Sequence, residues 1–148
     1  MVPLEFCDIL SLSKEGNHEK AFMIFVLLVG CGGFLGTISR YLLGLLISKS
    51  WSGELPHSTL IVNLLGSFLI GLSLNFIQSK SHPMAFYFLI PGFLGGFTTF
   101  SAFSGEVISL LQRQMYLPAL TYASLSVFGG FALCAVGVYA SKALSLHA

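Results

Sequence analysis

Residues 91–106, PGFLGGFTTFSAFSGE, have a composition that is unusual for a transmembrane segment. The stretch lies inside an apolar run long enough to cross a bilayer, yet it mixes glycines, a threonine pair, two serines and a carboxylate with four phenylalanines. Glycine and threonine at this density weaken a helix and release backbone carbonyls, which hydrocarbon tolerates only where protein or a watery cavity surrounds them. We therefore expect a broken or distorted transmembrane segment at a functional site.

The composition is that of an integral membrane protein with the lipid bilayer as its solvent. Of the 148 residues, 55% are hydrophobic and only 9% are charged, whereas roughly a quarter of the residues of a globular domain are charged. A net charge of +1 provides no basic surface for nucleic acid, so no nucleic-acid partner is expected. The three cysteines lack metal-ligand spacing and fit small buried hydrophobes.

Four apolar stretches predict an all-α protein with four transmembrane helices. At ~20 residues per crossing, the spans are assigned to residues 21–48, 58–77, 84–111 and 119–142. The short polar connections between them favour antiparallel neighbouring helices. The predicted organisation is a tail or short amphipathic helix without signal-peptide features, a transmembrane domain and a C-terminal tail, at residues 1–20, 21–142 and 143–148.

Positive charges are spread almost evenly over the two ends of the predicted bundle. One end would hold Lys14, Lys20, Lys80 and Lys142. The other end would hold Lys49 and Arg113, and Arg40 would lie in the first span near that second end. Because the Lys and Arg bias of short loops sets orientation, this chain has little topological preference and could insert both ways. Four helices are also too few to enclose a polar path alone, so an oligomer is expected.

Two predicted spans carry a polar or small residue at every fourth position, which places each set on one helix face. The second span has Thr59, Asn63, Ser67, Gly71 and Asn75, and the fourth has Tyr122, Ser126, Gly130 and Cys134. Such stripes hold helices together through hydrogen bonds in many membrane proteins. A stripe with an amide at its centre also resembles one side of an ion path, and spacing alone leaves both interpretations open.

Other side chains in the spans each allow a structural and a functional interpretation. Phe100 and Phe103 share a helix face and fit core or lipid contact, although their electropositive ring edges could also face an anion. Glu106, the only acidic residue within a span, is either interfacial or functional. Arg40 could extend to the membrane interface or pair with a carbonyl or carboxylate of a partner subunit.

Glycine pairs in the first and third spans predict close helix packing. Gly32 and Gly36 form a GxxxG motif, and so do Gly92 and Gly96. Such motifs let two backbones approach each other in a membrane. We therefore expect the third span to pack against a second copy of itself or against another helix.

Three segments together resemble one family of membrane proteins: GFLGTISRY at 33–41, STLIVNLLGSFLIG at 58–71 and GFLGGFTTFSAF at 92–103. In this order they are similar to the small fluoride channels called Fluc or CrcB, and the resemblance covers all four predicted spans. It implies a fluoride-selective channel for passive efflux from the cytoplasm, without catalytic chemistry. The expected location is the plasma membrane, the bacterial inner membrane, with several passes.

The resemblance further implies an assembly and a set of site residues. Family members are antiparallel, dual-topology homodimers with two fluoride pores and a central structural sodium ion at the break in the third helix. Gly95 and Thr98 match the positions whose backbone carbonyls hold that sodium, and carbonyl oxygens suit a hard cation. The positions that match the fluoride pore are Thr59, Asn63, Phe100, Phe103, Glu106, Tyr122 and Ser126, and Arg40 matches an arginine near the vestibule.

Two other functions are compatible with four short spans. A small multidrug or cation exporter would also be a dual-topology dimer, but it would need a carboxylate in its first span to couple protons to a cationic substrate. The first span contains Arg40 and no Asp or Glu. A purely structural subunit of a larger complex would conduct nothing after purification.

Overall fold

A computed structural model describes residues 18–51, 53–76 and 82–145, and it confirms an all-helical chain with four spans apolar enough to cross a membrane. The first span is helix α1, His18–Ser50, and the second is helix α2, His57–Phe76. The third span, Pro83–Gln112, consists of several segments, and the fourth is helix α6, Tyr116–Ser145. Residues 1–17 of the predicted tail and residues 146–148 lie outside the described part. The side chain of Asn75, the last residue of the polar stripe on α2, also lies outside the described part.

The third span consists of four consecutive segments: α3, a π-helical segment, α4 and α5, at Pro83–Tyr87, Phe88–Leu94, Gly95–Phe97 and Phe100–Gln112. Pro91 lies inside the π-helical segment, where the wider turn accommodates a residue that has no N–H to donate. Thr98 and Thr99 have extended backbones, with ψ of 157° and 118°. Helical geometry therefore stops for two residues in the middle of the span.

The glycines of α1 pack against the backbone of the third span in the same chain. A Cβ at Gly32 would meet the carbonyl of Phe88, and one at Gly36 would meet the carbonyl of Phe93. In return, a Cβ at Gly96 would meet the backbone of Gly33. The expectation that Gly92 and Gly96 pack against another helix is therefore met by α1.

Substituting Gly36 with valine is expected to lower the thermal stability of the purified protein. The added side chain would press on the Phe93 carbonyl and the Phe97 N–H, and overpacking of this kind costs about 1–3 kcal/mol. Gly30→Val is the matched control, because a Cβ at Gly30 on the same helix would meet no described residue of another segment within 4 Å. The measurement is the melting temperature in detergent, followed by size-exclusion chromatography. Equal melting of the two variants would contradict the packing described.

The other main contact of the fold joins α2 to α6. Gly71 lies against the Cys134 backbone, and Gly137 lies against the Phe68 carbonyl, so the two helices touch along their backbones. At one end, a small core packs α2, α5 and α6 together through Leu60, Leu110, Ala119 and Tyr122. The large side chains of Phe128 and Tyr139 are each 72% exposed on the surface of α6 away from the larger cavity. In a membrane this surface faces lipid or another subunit.

Candidate functional site

A cavity of about 490 Å³, open on one side, lies between α2, the third span and α6. It gathers six of the residues predicted from the sequence: Asn63, Gly95, Thr98, Phe100, Phe103 and Ser126. Ser67 and Gly130 from the two stripes also line it. No Lys, Arg or His is among the described residues of its wall, so its polar groups are amides, hydroxyls and backbone.

The Asn63 side chain is bound to the non-helical part of the third span. Its Nδ2 donates to the Thr99 carbonyl at 3.0 Å, and the Thr99 N–H donates to Oδ1 at 2.8 Å. The second bond replaces the helical hydrogen bond that the Thr99 N–H loses at the interruption, and such replacement is required because an unsatisfied backbone group in a bilayer costs several kcal/mol. Asn63 is thus a positioning residue for the interruption. Its second Nδ2 proton is not used by Thr99.

The interruption deprives two carbonyls of their usual donors. In an uninterrupted α-helix the Gly95 carbonyl would accept from the Thr99 N–H, and the Thr98 carbonyl from the Ala102 N–H. The first donor is bound to Asn63 and the second to Thr99 Oγ1, at 3.2 Å. The Gly96 carbonyl differs, because Thr37 Oγ1 donates to it at 3.4 Å. The carbonyls of Gly95 and Thr98, the pair expected from the sequence to hold sodium, therefore lack their helical donors.

Thr99 is an important residue that the predicted site did not include. Its side chain caps α5 by accepting from the Ala102 N–H, and its hydroxyl lies 3.2 Å from the Ser101 hydroxyl. Threonine is a favoured N-cap residue. The sequence signal for this role was a threonine at the end of a glycine-rich stretch.

Glu106 is held by hydroxyls from two other helices. Thr59 Oγ1 on α2 donates to one carboxylate oxygen at 2.7 Å, and the Tyr122 hydroxyl on α6 donates to the other at 2.6 Å. Tyr122 is fully buried. Glu106 therefore joins α2, α5 and α6 inside the bundle, and the hydroxyl protons of Thr59 and Tyr122 point at the carboxylate.

Removing the Glu106 carboxylate is expected to destabilise the protein more than neutralising it. Glu106→Ala leaves the Thr59 and Tyr122 hydroxyls without their partner, at a cost of about 1–3 kcal/mol for each buried group. Glu106→Gln keeps an acceptor for at least one of them and serves as the matched variant. Melting temperatures in detergent should fall in the order wild type, Gln, Ala. An alanine variant as stable as wild type would show that the two hydrogen bonds contribute nothing.

The predicted aromatic pair differs in its surroundings. Phe100 and Phe103 are in contact, with ring centroids 5.5 Å apart, and Phe103 also packs on Tyr122 at 5.4 Å. Phe100 is 78% exposed. One ring is therefore supported by the bundle, and the other projects from the open side of the cavity.

Arg40 and Thr59 line a second, smaller cavity of about 230 Å³. Arg40 Nε is buried and makes no hydrogen bond within the described part of the chain. Thr99 lines both cavities, so the interrupted segment lies between them. Ser126, in the larger cavity, likewise has a buried hydroxyl without a hydrogen bond among the described residues.

Comparison with known proteins assigns the chain to a family. A family model described as CrcB-like protein, camphor resistance, matches residues 27–138. The chain belongs to the CrcB family. Its CrcB-family relatives include proteins named fluoride-specific ion channel FluC from Gloeothece citriformis, 42% identical over 81% of this chain and 98% of the relative, and from Thermus thermophilus, 47% identical over 80% and 95%. The FluC protein of Rhizobium meliloti is 45% identical over 75% of this chain and 96% of its own length.

Family membership and the four apolar spans together make the chain a multi-pass protein of the bacterial inner membrane. The region matched by the CrcB family model begins within α1 and ends within α6, so it contains both cavities and the interrupted span.

Proposed function

We propose that this protein is a fluoride-selective channel through which fluoride leaves the cytoplasm down its electrochemical gradient. The observation that carries the proposal is a cavity lined by hydrogen-bond donors and aromatic rings without a fixed positive charge, in a chain whose relatives are named fluoride-specific ion channels. Passive permeation makes and breaks no covalent bond, so the protein is no enzyme.

Fluoride is small and strongly hydrated, so its passage requires groups that replace water without trapping the ion. The second Nδ2 proton of Asn63 and the Ser126 hydroxyl are donors of this kind on the cavity wall. The rings of Phe100 and Phe103 contribute positive edges. Thr59 and Tyr122 would have to release Glu106 before they could donate to an ion, so Glu106 controls when these two protons are available.

The functional unit of the proposal is an antiparallel homodimer with two pores and a broken third helix. Three observations favour it: the larger cavity is open on one side, Phe100 is exposed beside the opening, and the helix interruption is at Thr98 and Thr99. The positive residues Lys20 and Lys142 lie towards one end of the spans, and Lys49 and Arg113 towards the other. This balance suits insertion in both orientations.

A structural sodium ion at the centre of the dimer completes the proposal. The Gly95 and Thr98 carbonyls of both subunits would hold it, because their helical donors are bound elsewhere. When bound, the ion would offset the partial negative charges of the carbonyls at the interruption. The chain's own contribution is the Asn63 and Thr99 hydrogen bonding that keeps these oxygens free.

Fluoride-electrode recordings of liposomes test the proposal. The purified protein is reconstituted with internal potassium fluoride, and efflux is started with an ionophore that releases the potassium. We expect rapid fluoride release that protein-free liposomes do not show. A multidrug or cation exporter would instead move a cationic substrate only under a proton gradient, and a structural subunit would release nothing. Either outcome would refute the channel function.

A further inference from the structure

We propose that Ser67 on α2 is a fluoride-coordinating residue that supplies the hydroxyl which α6 lacks at Gly130. This inference rests on the proposed fluoride channel and names a step of its path. The stripe on α6 presents hydroxyls at Tyr122 and Ser126 and then has none at the next position, Gly130. Without another donor, an ion passing Ser126 would meet an apolar wall formed by residues such as Val127 and Phe131.

The geometry places the Ser67 hydroxyl at that gap. A Cβ built at Gly130 would lie 3.3 Å from Ser67 Oγ, and among the described residues outside the adjacent part of α6 no other group comes within 4 Å of it. Both residues line the larger cavity together with Asn63 and Ser126. The absence of a side chain on α6 therefore leaves room for the hydroxyl of α2 at the same place along the cavity.

The Ser67 hydroxyl can redirect its hydrogen bond to an ion at small cost. Ser67 Oγ donates to the Asn63 backbone carbonyl at 2.8 Å. That carbonyl also lies four residues before the Ser67 N–H within the continuous helix α2, so it has its regular helical donor as well. Rotation of the hydroxyl towards the cavity leaves no backbone group unsatisfied. The protons of Thr59 and Tyr122 differ, because both are held by the Glu106 carboxylate.

The polar path of this chain therefore crosses between helices. Ser126 on α6 and Asn63 on α2 supply donors at one level of the cavity, and Ser67 on α2 supplies the next. Beyond it, Cys134 on α6 also lines the cavity, and its thiol is only a weak donor.

The experiment is a set of liposome efflux measurements on the purified, full-length protein. Ser67→Ala is expected to slow fluoride release by about tenfold, the factor given by loss of one hydrogen bond to an ion. Ser73→Ala is the matched control, because Ser73 makes the same hydrogen bond four residues back, to Leu69 at 2.8 Å, without lining the cavity. Its flux should equal that of wild type.

A second substitution, which restores a hydroxyl from α6, distinguishes ion coordination by Ser67 from a packing role. In the Ser67→Ala background, Gly130→Ser places a hydroxyl on α6 at the vacated position and should recover most of the lost flux. Ser67→Thr keeps the hydroxyl on α2 and should remain close to wild type, so the proposal can be tested even where the alanine variant assembles poorly. Size-exclusion chromatography verifies the assembly of each variant.

Two results would overturn the role of Ser67. One is wild-type flux in a well-assembled Ser67→Ala variant. The other is a slow Ser67→Ala variant that Gly130→Ser does not rescue, because the serine would then act through packing alone. Both differ from a failure of the channel function itself, in which the wild-type protein would release no fluoride.

Discussion

Asn63→Asp is expected to reduce fluoride efflux by about a hundredfold or more, equivalent to ~2.7 kcal/mol of barrier. The introduced carboxylate can still accept from the Thr99 N–H, but in its ionised form it cannot donate to the Thr99 carbonyl, which lies 3.0 Å from the present Nδ2. It also places a negative charge on the wall of a cavity proposed to conduct an anion. Loss of the donor and like-charge repulsion act in the same direction.

Ser73→Asp is the matched control for this substitution. Ser73 lies on the same helix near its C-terminal end, outside the cavity, and bonds only to Leu69 among the described residues. Ser73 lies within the last turn of α2, where a carboxylate costs less than at the bilayer centre. The control should conduct at close to the wild-type rate in the liposome assay. Wild-type flux through a well-assembled Asn63→Asp variant would refute the role assigned to the amide.

Phe100→Ile and Phe103→Ile are each expected to slow fluoride efflux by at least about tenfold, the loss that corresponds to 1.4 kcal/mol of barrier. Isoleucine keeps an apolar side chain but has no electropositive ring edge to offer an anion. Phe100 is 78% exposed, so its substitution tests the ring with little change in packing within the subunit. Phe103 packs on Tyr122, so its variant is expected to lose some stability as well.

Phe128→Ile controls for the loss of an exposed aromatic ring. Phe128 is 72% exposed on α6 and does not line the larger cavity, so its replacement should leave efflux unchanged. Efflux is measured with the fluoride electrode at equal protein-to-lipid ratio. If all three variants release fluoride at the wild-type rate, the ring edges have no part in permeation.

Local sequence patterns were sufficient to predict the number of spans and the unusual character of the third. The runs of apolar residues predicted four spans, and the glycines and threonines of residues 91–106 marked the segment where the backbone becomes extended. The start of the last helix was predicted too late. The span was assigned from residue 119, whereas α6 begins at Tyr116 and accommodates Pro118 in its first turn, where the missing N–H costs nothing.

The partners of the site residues could not be predicted, because a single helix pattern does not specify the register of one helix against another. The α2 stripe identified Asn63 as a polar residue of interest, but its double hydrogen bond to Thr99 depends on how α2 and the third span meet. The same holds for Glu106, whose hydroxyl partners come from sequence positions 47 and 16 residues away. Glycine motifs predicted close packing, and only the fold identified α1 as the partner of the third span.

The current through a planar bilayer under a fluoride gradient measures whether the protein selects fluoride. With a tenfold fluoride gradient, equal chloride and sodium on both sides and a large organic anion balancing the charge on the low-fluoride side, a fluoride-selective channel should give a current that reverses near the fluoride equilibrium potential, about 59 mV from zero. Reversal at zero would show that fluoride is not selected over the symmetric ions. If the protein gives no current and liposomes made with it release no fluoride, it is not a fluoride channel.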